Sequence, residues 1–474
     1  MNALLAALSV ALAGVVAVAV PGGAAAILFC AACSLVVGLL LSKNDPAHRS
    51  FLMKIFVAGL LVRVAVGAVI NVFKLQEFFG GDALTYDFVG GALLESFRHR
   101  NVEMNTDLQV WVSGSGWGMV YLVAAIYAVV GKNMLAVQFF NAVVGAATAP
   151  VVFLCARHIY LNMRVAKLAA LAVALYPSLV LWSSQALKDG PIVFLLAITM
   201  LATLRLGERL SVKYVLVLLA AFSGIISLRF YIFYMMVAAV GGAFIVGMRQ
   251  QTTQTLARQL AIVLTLGIGL TYLGVVRIAG AQYEQFGNLE AVQRSRSDLA
   301  RSANSGFGAD VDVSTATGAL SVIPLGMAYL LFAPFPWQLA SLRQSITLPE
   351  MIVWWVSFPL LIMGIWFTLK HRLRQALPIL LFTTMLTLAY SIFQGNVGTA
   401  YRQRSQILVF YFIFVAVGAV LLKERHEDKQ REQHLRRQEA ADIAKGRRTY
   451  ARWKAKEGQE LERIAEDISE KIDF

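Results

Sequence analysis

The segment Gly80–Asp87, GGDALTYD, brings Asp82, Tyr86 and Asp87 together directly after an apolar run at residues 51–73. A carboxylate in such a place can take a proton from a hydroxyl as a general base. Glu77 just before this segment, and Lys188, Asp189, Arg229, Arg402 and Arg404 further along the chain, also lie at the edges of apolar runs. Ionisable groups are costly in or beside a bilayer, so those that occur there mark function by default. Arginine forks bind phosphate oxygens in pairs, and such donors stabilise a departing phosphate. Carboxylates combined with several Arg and Lys therefore suit a reaction that deprotonates a hydroxyl and displaces a phosphate.

Each candidate also has a purely structural reading. Asp82 suits a helix N-cap, and Asp189 could do the same for a helix beginning at Pro191. Arg229, Arg402 and Arg404 could anchor helix ends at the membrane edge. Asp310 and Asp312 form an Asp-x-Asp pair able to hold a divalent metal, although such pairs also arise by chance. Arg63 lies in the middle of an apolar run and requires a buried partner, whereas Lys54 can extend toward the interface.

These residues must be positioned by a membrane scaffold. The 474 residues are 58% hydrophobic and 15% charged, against roughly 25% charged in soluble domains. Apolar runs of about 17–22 residues recur, long enough to cross a hydrocarbon core of roughly 30 Å. Backbone groups there must be satisfied within the segment, which selects helices. The fold class is an all-α polytopic membrane protein. Residues 3–20 lack a basic leading region and read as a retained helix rather than a cleaved signal. Cys30, Cys33 and Cys155 fall inside apolar runs and read as small hydrophobes.

Lys and Arg collect in cytoplasmic loops. The basic stretches here are 43–49, 157–167, 205–213, 249–258, 370–374 and the tail after Leu422. Placing all of them inside gives twelve transmembrane helices with both termini cytoplasmic. The helices fall near 3–20, 23–41, 51–73, 133–154, 166–182, 191–206, 212–228, 230–248, 259–278, 350–369, 376–393 and 405–422. Two more apolar runs, 117–131 and 318–333, then lie along or dip into the outer interface, as amphipathic segments do. A transmembrane domain 1–422 results, with outer loops 74–132 and 279–349. The polar, Ser- and Gly-rich part of the second loop predicts a flexible or substrate-ordered segment. The cytoplasmic tail, 423–474, is helix-patterned and charged. Its residues 423–456 hold twelve Lys or Arg against six Asp or Glu, suited to anionic lipid at about 1 kcal/mol per basic residue. The net charge of +14 arises mainly in loops and tail and does not argue for nucleic acid.

Residues 51–206 resemble the N-terminal half of the GT-C superfamily of polyprenyl-phosphate-sugar-dependent glycosyltransferases, of the protein-mannosyltransferase and aminoarabinose-transferase type. The likeness rests on several elements in order. An outer loop carries Asp82 and Tyr86, and an apolar helix ends YAVVG at Tyr127–Gly131. NAVVGAATAPVVFLCARHIY follows at Asn141–Tyr160, then ALYPSLVLWSSQALKD at Ala174–Asp189. AYRQRSQ at Ala400–Gln406 resembles the Arg-bearing entry to a late helix in such enzymes. The resemblance implies a catalytic Asp at Asp82, with Asp87 as the nearby alternative, and inversion at the sugar's anomeric carbon. It departs from the family where Gly114-Ser115-Gly116-Trp117-Gly118 replaces a proline-rich element. Two helices precede the family's usual first one, and no soluble C-terminal domain follows.

The combined expectation is a glycosyltransferase of the bacterial inner membrane, acting on its outer face. It would use a polyprenyl-phosphate-linked sugar donor and a glycan, lipid or protein acceptor. Tyr86, Lys188, Asp189, Arg229, Arg402 and Arg404 would bind substrate. Two alternatives are a polysaccharide polymerase or ligase using polyprenyl-diphosphate glycans, and a transporter. The last would bring midplane charges and repeat symmetry, and no such repeat is apparent. The topology is checked by cysteine labelling: a periplasmic reagent should modify Ser302→Cys and spare Ala455→Cys. The reverse pattern would place the site on the wrong side of the membrane.

Overall fold

The computed structural model describes residues 3–98, 106–114, 116–248, 253–301, 305–339 and 341–472. Ser115 and Ser302, singled out above, lie outside the described residues. The helices run α1 (Ala3–Ala19), α2 (Gly23–Asn44), α3 (Arg49–Val72), α4 (Gln76–Phe79), α5 (Asp82–Arg98), α6 (Thr106–Ser113) and α7 (Trp117–Val130). Then come α8 (Met134–Tyr160), α9 (Met163–Leu175), α10 (Pro177–Ser183), α11 (Asp189–Glu208), α12 (Val212–Leu228) and α13 (Phe230–Val246). The remainder are α14 (Thr253–Tyr272), α15 (Val275–Phe286), α16 (Leu289–Arg301), α17 (Ala316–Phe332), α18 (Leu342–His371), α19 (Leu373–Phe393) and α20 (Val397–Ile472). Among the described residues extended pairing is limited to one bridge, Gly306 with Asn396. The chain divides into two units, Met1–Gly418 and Ala419–Phe474; the second is helical and its described side chains are largely exposed.

The all-helical membrane architecture expected from composition is what the chain adopts. Among the described residues eight helices are long and apolar enough to cross a bilayer, nine if the bent pair α9–α10 counts as one span. The three further expected crossings correspond to α1, α12 and α13, each 17 residues long. A count of twelve therefore depends on those three short helices. The two runs expected at the interface form α7 and α17, of 14 and 17 residues.

The described residues of 279–349 hold more helix than their composition suggests. Most of α15 and all of α16 and α17 fall within them, and α16 buries Arg296 and Ala300. Those two residues, four apart, share one face with Val292, which packs near Val313. Ser295 and Asp298 of the same helix are exposed, and such residues give the segment its loop-like composition.

Inside unit 1, α8 is the central helix, enclosed along most of its length by α2, α3, α9 and α11. Small residues allow this, since Ala and Gly let helix backbones approach where lipid offers no hydrophobic drive to pack. The same device joins α18 to α20 reciprocally. A Cβ on Gly364 would stand 1.9 Å from the Phe414 carbonyl oxygen, and one on Gly418 2.1 Å from that of Leu360.

Arg63 finds its partner at a broken span. Pro177 has no N–H to give the carbonyl four residues earlier, and α9 and α10 meet at 53°. Arg63 Nη1 donates to Ala174 O at 2.7 Å and Nη2 to Val173 O at 3.3 Å, while Nε donates to Ser183 Oγ at 2.7 Å. The guanidinium thus replaces the donors the proline removes and ties α3 to both halves of the break. Arg63→Met should destabilise the protein by roughly 1–3 kcal/mol for each carbonyl left without a donor. Thermal unfolding in detergent measures this, and an unchanged midpoint would mean the break does not depend on Arg63.

Candidate active site

The loop that follows the break, 184–188, carries the site. Asn141 on α8 holds it from below, its Nδ2 donating to Gln185 O at 2.6 Å and Leu187 O at 2.7 Å. This fixes the start of α11, where Asp189 is fully buried. An unpaired carboxylate there would cost several kcal/mol, and two arginines neutralise it. Arg229 Nη2 donates to Asp189 Oδ1 at 2.9 Å. Arg402 brings Nε and Nη2 each to 2.7 Å of Oδ2.

Arg402 also reaches outward. Its Nη1 donates to Asp82 Oδ2 at 2.7 Å, joining the first turn of α5 to the first turn of α11 and the second turn of α20. The two carboxylates differ in setting: the Asp82 side chain is 53% exposed, that of Asp189 is 0% exposed. Arg402 lies over the Trp182 ring, 5.7 Å from its centroid. Arg229, between α12 and α13, donates from Nη1 to Tyr231 Oη at 2.6 Å. Tyr86 is buried one helical turn after Asp82, and burial, then the Asp82 charge, pushes its phenol up to about 12.

Lys188 completes the cluster. Gly116 at the entry to α7 has φ 86°, and a Cβ there would stand 3.0 Å from Lys188 Nζ. Glycine supplies both the left-handed backbone and the room for the ammonium. Burial, then repulsion from Arg229, lowers the Lys188 pKa to about 8, against the pull of Asp189.

Two candidates go elsewhere. Asp87 lies well round α5 from Asp82 and accepts a short hydrogen bond from Tyr127 Oη, fastening α5 to α7. Burial and this bond raise the Tyr127 pKa. Arg404 turns from the cluster because successive odd positions of a helix diverge by about half a turn. Its Nη1 donates to Leu331 O at 2.9 Å and its Nη2 lies 3.0 Å from Met351 Sδ. Of Glu77, the carbonyl oxygen is engaged, 3.5 Å from Arg343 Nη2. Asp312 is held in a turn, accepting from Ser314 N at 2.8 Å. Among the described residues no three His, Cys, Asp or Glu gather as metal ligands.

Beside Arg402 opens a cavity of about 440 Å³, lined by Phe79, Gly80, Trp182, Arg343, Thr399 and Tyr401 among others. Trp182 and Arg343 were not singled out from sequence. Trp182 stands six residues before Lys188 in the same conspicuous motif. Arg343, in the first turn of α18, lies like Arg402 near the start of a spanning helix, a signal hidden by the intervening Ile346–Pro349.

Residues 117–274 match the family model described as dolichyl-phosphate-mannose-protein mannosyltransferase. This stretch bears out the resemblance to GT-C glycosyltransferases; it contains Lys188, Asp189 and Arg229 and leaves Asp82 and Arg402 outside. Two solved structures of oligosaccharyltransferase from Archaeoglobus fulgidus are similar at 15% identity. One, AglB in complex with an inhibitory peptide and a dolichol-phosphate, aligns over 67% of this chain and 44% of its own with a TM-score of 0.39. The other, the apo form, aligns over 80% and 52% with a TM-score of 0.44. The chain spans about half the length of these structures. No curated protein matches it.

The Lys188 ammonium gives the cluster a pH dependence. It is charged below about pH 8 and attracts an anion, and it is neutral above. Affinity for an anionic amphiphile such as decyl phosphate should fall as pH rises through about 8, by at most about tenfold per unit. Titrations of the wild type and of Lys188→Arg, which stays charged, check this. An equal fall in both would assign the titration to another group.

Proposed function

We propose that this protein is a polyprenyl-phosphate-dependent membrane glycosyltransferase that transfers a sugar to an acceptor hydroxyl on the outer face of a bacterial inner membrane. The observation that carries this reading is Arg402 held between an exposed carboxylate, Asp82, and a buried one, Asp189. The buried pairing orients the guanidinium permanently. The Asp82 contact, open to solvent, is the one a substrate can exchange.

Charge balance supports a monoanionic donor. Lys188, Arg229 and Arg402 face Asp82 and Asp189, which leaves one positive charge uncompensated. A polyprenyl phosphosugar, a phosphodiester, carries one negative charge. Its phosphate would bind Arg402 Nη1 and Lys188, with the lipid chain left in the bilayer. Drawing Nη1 to the phosphate would release Asp82 to take the proton from the acceptor hydroxyl. The hydroxyl oxygen then bonds to the anomeric carbon as the carbon–oxygen bond to phosphate breaks, and its electron pair leaves with the polyprenyl phosphate. Attack opposite the leaving group inverts the carbon. Arginine and lysine stabilise the charge that develops on the departing phosphate.

Asp82→Asn tests the reading, because it keeps the shape and the bond to Arg402 but cannot accept a proton at neutral pH. Turnover should fall at least about a hundredfold with expression and donor binding retained. Asp87→Asn should instead loosen the α5–α7 junction and lower thermal stability, with a smaller effect on turnover. Full activity in both variants would remove the carboxylate mechanism and leave the polyprenyl-diphosphate polymerase reading.

A further inference from the structure

The cavity beside Arg402 has a wall chemistry that the donor phosphate does not use. Two arginines line it, Arg402 and Arg343, and no Asp or Glu does. Ser341, Leu342, Arg343 and Gln344 bring the N-terminal turn of the 30-residue α18 to it, and Val397, Gly398 and Thr399 bring that of α20. Each such turn directs backbone N–H groups and the positive end of the helix dipole outward. Trp182, only 5% exposed, lines the same space with its ring 5.7 Å from the Arg402 guanidinium. A cleft with this lining suits an anion.

We propose that the cavity holds the acceptor, and that this acceptor carries an anionic group, a carboxylate or phosphate, near its reacting hydroxyl. The inference rests on the glycosyltransferase reading and adds the acceptor's charge to it. Arg343 fixes that anion at the mouth, where its guanidinium lies 5.4 Å from the Phe78 ring centroid. Gly80 and Phe79 line the cavity and lead directly to Asp82. An acceptor anchored at Arg343 thus presents its hydroxyl toward the carboxylate past the short turn at Gly80–Gly81. Arg402 stands between the two compartments. The phosphate cluster of Lys188 and Arg229 lies on one side of it and the acidic-group pocket on the other.

Binding of octyl β-D-glucuronide and octyl β-D-glucoside to the full-length protein in nanodiscs tests this. The two probes differ in one carboxylate. The wild type should prefer the glucuronide by at least about tenfold, the scale of one charge-assisted contact. Arg343→Gln should abolish the preference and leave affinity for undecaprenyl phosphate unchanged. Equal affinity for the two glycosides, no binding of either, or a preference that survives Arg343→Gln would overturn the proposal. So would an Arg343-dependent preference for undecaprenyl diphosphate over the monophosphate, which would assign the anion to the donor. Failure of the wild type to bind undecaprenyl phosphate counts instead against the glycosyltransferase reading. The two failures are therefore distinct.

Discussion

A helix that ends inside an apolar protein leaves carbonyl oxygens that no water can reach, and much of this structure follows from supplying them with donors. Arginine does so repeatedly. Arg63 serves the end of α9, and Arg258 donates to Gly207 O and Glu208 O at the end of α11 at 3.0 and 2.8 Å. Arg296 does the same beyond α19, bonding Ile392 O at 3.2 Å and also Gln394 O. Arg404 does it for α17. One guanidinium offers five N–H groups in a fixed fork, and its charge also opposes the negative end of the helix dipole. Four arginines are thereby committed to backbone, whereas Arg229 and Arg402 turn to the carboxylates of the site.

That division gives the site its rigidity. The break at Pro177, held by Arg63, sets the direction of α10, and α10 carries Trp182 beneath Arg402. Asn141 then pins the loop that delivers Lys188 and Asp189. Because Asp189 is enclosed and doubly paired, the position of Arg402 is determined before any substrate arrives. Groups fixed in advance are worth more to a developing charge than groups that must reorganise.

The all-helical membrane character is legible in the sequence because hydrophobic length is itself the physical determinant of insertion. The resemblance is legible for a similar reason, since the region from Tyr127 to Asp189 packs the centre of the bundle and positions Lys188. The site is legible in part. Asp82, Tyr86, Lys188, Asp189, Arg229 and Arg402 come together, each having stood at the edge of an apolar run. Arg404 and Asp87 stood there equally, and nothing local distinguishes an arginine bound to a carbonyl from one bound to a carboxylate. The difference lies in which distant helix arrives opposite. The helix at residues 289–301 is hidden likewise, because the contacts that hold it, Arg296 to the end of α19 and Val292 beside Val313, come from distant segments.

The long sequence separation of these pairs bears on how the protein is made. Arg63 is separated from Ala174 by 111 residues and Arg402 from Asp189 by 213. At synthesis rates of about 5–20 residues per second, Arg63 waits several seconds or more for its partner after entering the insertion machinery. Asp189 waits 40 residues for Arg229 and 213 for its second partner, Arg402. During that interval a bare cation and then a bare anion must be sheltered from lipid, by water in the insertion channel or by a chaperone. Biogenesis, more than the finished fold, is therefore where this chain is most exposed to failure.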